Sequence, residues 1–239
     1  MKNNSYLQCV AHRGGRKLGT ENTLGTIEKA LALQVDAIEI DVWQVGGQLL
    51  VTHDREMGRV IKGEGRLSDL DPNEITELRH YDGSKVATLA EVIDCVANKA
   101  RLNIELKGPN CAAAVAELVR DKNKSLQLSD NQIIISSFDH LQLHWLQKNA
   151  PEIKRGVLTY GNPYDGIACC RALGAYSYHP SIDFIDLQLV KEARSEGLEV
   201  WVYTVNREDD FADMLAMGVT GVFTDDPELL IAFNNKLNS

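Results

Sequence analysis

Two short segments, "AIEIDVW" (residues 37–43) and "LNIELKG" (residues 102–108), place charged residues at alternate positions in otherwise apolar runs. In an extended chain Glu39 and Asp41 share one face while Ile38, Ile40 and Val42 share the other. Asn103, Glu105 and Lys107 repeat the device opposite Leu102, Ile104 and Leu106. Neighbouring strands built this way aim three carboxylates into one place, which is unfavourable unless positive charge sits among them. A divalent cation is the economical answer, because Mg²⁺ and Ca²⁺ take hard oxygen ligands and leave positions for water or phosphate oxygens. The alternative is an internal ion-pair network of Glu39, Asp41, Glu105 and Lys107. Cysteine and histidine are not clustered as a zinc cage requires.

"AHRGG" (residues 11–15) puts His12 and Arg13 at the end of an apolar run, and "LLVTHD" (residues 49–54) does the same with His53. Histidine can both take and give a proton near neutral pH. Two of them flanking a metal-bound phosphate divide the work of phosphodiester hydrolysis. One activates the attacking oxygen and the other protonates a poor alkoxide leaving group. Arg13 offers a fork for two phosphate oxygens and Lys107 a compact charge. The other histidines read differently: His80, His140 and His144 as surface or helix-packing residues, and His179 as a strand-end residue placed either to line the pocket or, before Pro180, to order the loop, the second being favoured. Asn206 and Asp225 read as loop-holding strand-end residues, and Cys169 and Cys170 as helix packing.

These residues need a scaffold that brings strand ends together. The 239 residues are 44% hydrophobic, enough for a sizeable core. Short apolar runs ("LQCVAH", "DAIEIDVW", "LNIELK", "QIIISS", "RGVLTY", "GAYSYH", "EVWVYTV", "GVFTD") alternate with stretches of helical period such as "ENTLGTIEKALAL" and "CAAAVAELVRDK". About eight strand–helix pairs in this length fit an α/β (β/α)8 TIM barrel, with its active site at the C-terminal ends of the strands. A doubly wound open sheet is the runner-up, but no GxGxxG loop follows the first strand. One domain spanning residues 1–239 is expected, with a small ordered insertion at about 53–87 that begins as a hairpin return and holds a capped helix in "SDLDPNEITEL". A net charge of −9 disfavours nucleic-acid binding. Five scattered cysteines, no signal-like N-terminus and no membrane-length apolar run point to a cytoplasmic protein without stable membrane insertion. Oligomeric state is not legible.

With "ENTLGTIEKAL", "TLAEV", "ISSFD", "VYTVN" and "GVFTDDP" following in order, these motifs resemble the glycerophosphodiester phosphodiesterases over nearly the whole chain. The resemblance implies a barrel with an insertion after its second strand. It implies hydrolysis of a small glycerophosphodiester to glycerol 3-phosphate and an alcohol such as choline, ethanolamine or glycerol. His12 and His53 match the family's acid and base histidines, Arg13 its phosphate-contacting arginine and Lys107 a lysine near the phosphate. Glu39, Asp41 and Glu105 match its Ca²⁺ or Mg²⁺ ligands, and Glu21 a polar residue near the metal. Tyr203 stands where the family commonly has a substrate-pocket Trp, Thr20 where it has Pro, and Ala87 where Pro is frequent. The competing readings are a phospholipase-type enzyme acting on lysophospholipids and a catalytically silent binding protein on the same barrel. The basic insertion offers little apolar surface to a bilayer, and none of the catalytic residues is missing.

Overall fold

The computed structural model describes residues 6–129 and 132–237; the polar N-terminal residues 1–5 lie outside it. Eight parallel strands close into a barrel: β1 (Gln8–Ala11), β2 (Ala37–Val45), β4 (Arg101–Leu106), β5 (Ile133–Ser137), β6 (Lys154–Thr159), β7 (Ser177–Pro180), β8 (Glu199–Val202) and β9 (Gly221–Thr224). Pairing of Val10 with Ala37 closes the ring between β1 and β2. The missing number is β3 (Gln48–Val51), which runs antiparallel on β2 outside the ring. Helices cross between strands: α1 (Leu24–Ala32), α3 (Leu89–Val96), α4 (Ala112–Leu126), α5 (His140–Asn149), α6 (Gly166–Ala172), α7 (Leu187–Ser195), α8 (Glu208–Met217) and α9 (Pro227–Leu237). Side chains start several of them. Thr23 accepts from the amide of Thr26, Asp186 from that of Leu189, and Thr88 forms a reciprocal capping box with Glu91.

The main core lies between the strands' outward faces and the helices, and includes Ile38, Ile40, Ile104, Leu143 and Val222. A second set of side chains, Val10, Ala37, Ile134, Trp201 and Phe223, packs together as a smaller core. The two-residue period of a strand explains what stands beyond it. Ala37 is followed by Glu39 and Asp41, Val10 by His12, Trp201 by Tyr203 and Phe223 by Asp225. The same face therefore runs from an apolar plug to polar groups at the strands' C-terminal ends.

His179 lies near the end of β7, as its place in "GAYSYH" suggests, but it is fully buried and stacked on Trp201 at 5.4 Å between ring centroids, so it packs the barrel instead of ordering a loop. A Cβ on Gly156 would meet its Cε1 at 2.5 Å, so the glycine makes room for the ring. Ser177 Oγ lies 2.7 Å from His179 Nε2, and burial depresses the imidazole to about 3, which keeps it neutral. His80, read as superficial, is buried in the insertion beside Ser84.

The insertion begins with the β2–β3 hairpin, whose Gly46 and Gly47 both have positive φ, as a tight primed turn requires. Residues 52–88 then fold over a separate small core of Val45, Leu50, Ile61, Leu67, Ile75, Leu78 and Val86. Its helix α2 (Pro72–Glu77) carries the expected cap, an Asp71–Glu74 capping box with Pro at the start.

Candidate active site

Register brings the acidic residues together. Glu39 stands beside Asn103 and Asp41 beside Glu105 across β2 and β4. Glu39, Asp41 and Glu105 each offer a carboxylate oxygen, all within 4.8 Å of one another. Glu39 and Asp41 are 2% and 1% exposed, so water cannot screen them. Burial, reinforced by Asp41 and Glu105, pushes the Glu39 carboxyl well above its ordinary range despite an amide and a charge from Arg13. Burial and Asp41 likewise push Glu105 up to about 7 against the opposing pull of Lys107.

An ion-pair network is present around them. Lys107 Nζ lies 2.9 Å from Glu105 Oε1, though not in the geometry of a directed hydrogen bond, and 4.0 Å from Asp41 Oδ1. Arg13 Nε is 3.4 Å from Asp41 Oδ2. Yet Glu39 Oε1 is buried with no hydrogen-bond partner. The network therefore accounts for part of the cluster and leaves a buried carboxylate oxygen unmatched, which an oxygen-seeking cation would satisfy.

Arg13 is set by its backbone as much as by its charge. It sits in a 3₁₀ turn, His12–Gly14, at φ 52°, the left-handed region that costs a side-chain-bearing residue about 1 kcal/mol. That turn aims its amide at Glu39 Oε2 (2.8 Å) while its Nη1 donates to Glu21 Oε1 (2.9 Å). Asn22 binds the carbonyl side of the same turn, its N donating to Arg13 O, and its Nδ2 donates to Asp41 Oδ2 at 2.9 Å. Glu21 is buried, which would raise its carboxyl, but Arg59 and Arg13 override this and hold it at about 2.

Both candidate histidines are tethered at Nδ1. His12 Nδ1 donates to Asp225 Oδ1 at 2.7 Å, and Asn206 Nδ2 donates to the other oxygen at 3.0 Å. His53 Nδ1 donates to Asp54 Oδ1 at 2.8 Å, and Trp43 Nε1 donates to the His53 carbonyl at 3.1 Å. Burial tends to raise both aspartates, but their hydrogen-bonded partners hold them below the usual carboxylate range, so each acts as an acceptor. The imidazoles then carry hydrogen on Nδ1 and leave Nε2 for proton transfer. Burial also lowers His53 below its ordinary value, outweighing Asp41 and Asp54. His53 lines a cleft of about 480 Å³ with Trp43, Asp54 and Arg59.

Tyr203 follows β8 on another side of the ring. Its hydroxyl donates to Thr159 O at 2.8 Å, and its ring meets Phe138 edge-on at 5.8 Å. Lys107 Nζ lies 5.9 Å from the Phe138 ring centroid, linking this aromatic side to the acidic cluster. Tyr160, Tyr164 and Phe184, in the loops after β6 and β7, are exposed. Sequence reasoning assigned no role to Asp54, Asn22, Trp43 or Arg59 and gave Asp225 only a loop-holding one. Asp54 adjoins His53 and Arg59 stands five residues beyond Asp54, whereas the contacts of Asn22 with Asp41, Arg59 with Glu21 and Asp225 with His12 join residues 19 to 213 apart.

The model of the glycerophosphoryl diester phosphodiesterase family matches residues 12–229. A glycerophosphodiester phosphodiesterase of Caldanaerobacter subterraneus subsp. tengcongensis is 33% identical over 95% of this chain and 97% of its own. Among solved structures, an Oleispira antarctica phosphodiesterase in complex with the product sn-glycerol-3-phosphate superposes with a TM-score of 0.88 at 25% identity, covering 96% of this chain and 97% of its own. A glycerophosphodiester phosphodiesterase of Thermotoga maritima gives 0.79 at 26% identity, covering 95% and 98%.

Proposed function

Since the chain belongs to the glycerophosphoryl diester phosphodiesterase family and hydrolyses glycerophosphodiesters, we propose that it does so with a divalent ion and two histidines acting as acid and base. The observation that carries this reading is the joint one of three carboxylates within 4.8 Å and two histidines whose Nδ1 atoms are both committed to aspartates. Glu39, Asp41 and Glu105 would hold Mg²⁺ or Ca²⁺, since all three offer hard oxygen and Glu39 Oε1 lacks any other partner. When bound, the ion supplies positive charge to a phosphate that gains negative charge as it is attacked.

Arg13 and Lys107 would hold phosphate oxygens, the first through its fork and the second as a point charge. His53, lowered by burial, rests neutral at pH 7 with hydrogen on Nδ1, so its Nε2 is suited to accept a proton from the attacking oxygen. His12, which precedes Arg13 in the turn after β1, would deliver a proton from Nε2 to the departing alcohol. Asp225 would stabilise the charged form of His12 and Asp54 that of His53. Tyr203 would border the alcohol end of the substrate, and Glu21 would steady Arg13.

The expected signature separates these roles. His12→Ala and His53→Ala should each lower kcat by about 10² to 10⁴ with metal affinity nearly unchanged. Glu39→Ala should weaken metal affinity and turnover together. Full turnover by His53→Ala would contradict its assignment. A lysophospholipid is the second substrate reading, favoured by the exposed Tyr160, Tyr164 and Phe184 beside the strand ends. Among the described residues no helix is long and apolar enough to cross a membrane.

A further inference from the structure

One guanidinium of the insertion, that of Arg59, joins two carboxylates of the candidate site. Arg59 Nε donates to Asp54 Oδ2, while its Nη1 and Nη2 donate to the two oxygens of Glu21. Asp54 is the carboxylate that tethers His53 Nδ1, and Glu21 the one that receives Arg13 Nη1. Arg16 Nε also donates to Glu21 at 2.9 Å, so Glu21 would keep positive partners without Arg59, whereas among the described residues Asp54 Oδ2 accepts a hydrogen bond from Arg59 alone. A second tie between the same segments does not touch either tethering carboxylate: Thr20 Oγ1 donates to Asp82 Oδ2 at 2.6 Å. A proline at position 20 could not make that bond.

We propose that Arg59 is a positioning residue for the diesterase reaction, holding the carboxylate that orients His53 against the carboxylate that orients Arg13. The proposal rests on the acid–base roles given above for His53 and Arg13. A planar fork with five donors can serve two carboxylates at once in fixed geometry, which a lysine cannot. Without Arg59, Asp54 is free to turn toward solvent, since its side chain is 27% exposed, and the His53 ring loses its fixed orientation. The insertion, which supplies His53, Asp54 and Arg59, thereby becomes part of the catalytic geometry through the tie to Glu21. Misplacement of about 1 Å at a reacting group can cost about 10²-fold in rate.

The test compares Arg59→Ala, Arg59→Lys and Asp82→Ala with the wild type on glycerophosphocholine, together with ¹⁵N spectra of the histidine rings of the metal-loaded protein. Arg59→Ala and Arg59→Lys should each lose at least about 10-fold in kcat with a smaller change in KM. In both, the His53 ring should pass from hydrogen on Nδ1 to a mixture of tautomers. Asp82→Ala, which removes the other tie together with the local hydrogen bonds from Ser84 inside the insertion, should keep both kcat and the ring signals. Equal losses in Asp82→Ala would overturn the proposal, because the effect would then belong to docking of the insertion in general. Unchanged His53 signals in Arg59→Ala would overturn it as well, whatever the activity. Absence of wild-type turnover would instead count against the diesterase chemistry itself, and the ring spectra would still decide the claim about Arg59.

Discussion

His12 and His53 share one device, a ring nitrogen fixed by a carboxylate, which leaves the other nitrogen for the proton transfer proposed. Asp225→Asn tests it with little change in size. The amide can present its NH₂ to Nδ1 and select the other tautomer, so kcat should fall by roughly 10- to 10²-fold while the melting temperature stays close to wild type. A kcat equal to wild type would show that His12 needs no such partner. The catalytic candidates were legible in sequence because each is a polar residue interrupting or ending an apolar strand: Glu39 and Asp41 in "IEIDV", Glu105 in "IELK", and His12 in "AHRGG". Their supporting residues were not. Asp225 lies 213 residues from His12, and Arg59 lies 38 from Glu21, and no local pattern encodes either contact. The strand end that holds His179 is legible in "GAYSYH", but its full burial is not, because only the closed ring of strands encloses it.

At the scale of elements, hydrophobic period identified the strand and helix pairs because parallel barrel strands are apolar on the face toward the helices, and the helices are amphipathic. The insertion announced itself as a gap too long for an ordinary loop, and Asp71 with Glu74 marked its helix. What sequence did not disclose is that this segment has its own apolar core and buries His80. The return from insertion to barrel is fixed by the α3 capping box, in which Thr88 and Glu91 satisfy each other's backbone amides. Thr88→Ala should cost about 1 kcal/mol, read as a lower urea midpoint with an unchanged slope. A changed slope would mean that the insertion unfolds separately.

Across the whole molecule, the acidic cluster should make stability depend on pH and on the ion together. Glu39 and Glu105 have raised values, Glu105 about 7, so the folded ion-free protein binds protons that the unfolded chain has lost. The stability this gives is full below about 4.5, the ordinary carboxylate value, and is lost as pH rises to 7. Glu21, held at about 2, works oppositely and only in strong acid, where its contribution disappears as pH falls through that value. The cluster should therefore remove on the order of 1–3 kcal/mol from the ion-free protein between pH 5 and pH 8. Metal ligands must be ionised, so the gain in melting temperature on adding Mg²⁺ or Ca²⁺ should grow over the same interval. A gain independent of pH would place the ion elsewhere. With a net charge of −9, an anionic diester would have to be drawn in by focused cations, a role that the proposal gives to Arg13, Lys107 and the ion. The most direct measurement is the release of glycerol 3-phosphate from glycerophosphocholine by metal-stripped protein, with and without Mg²⁺ or Ca²⁺, beside a lysophospholipid. The account predicts product from the first substrate only when the ion is added. Undiminished release after stripping would contradict the role given to Glu39, Asp41 and Glu105, and cleavage of the lysolipid alone would contradict the small diester as substrate.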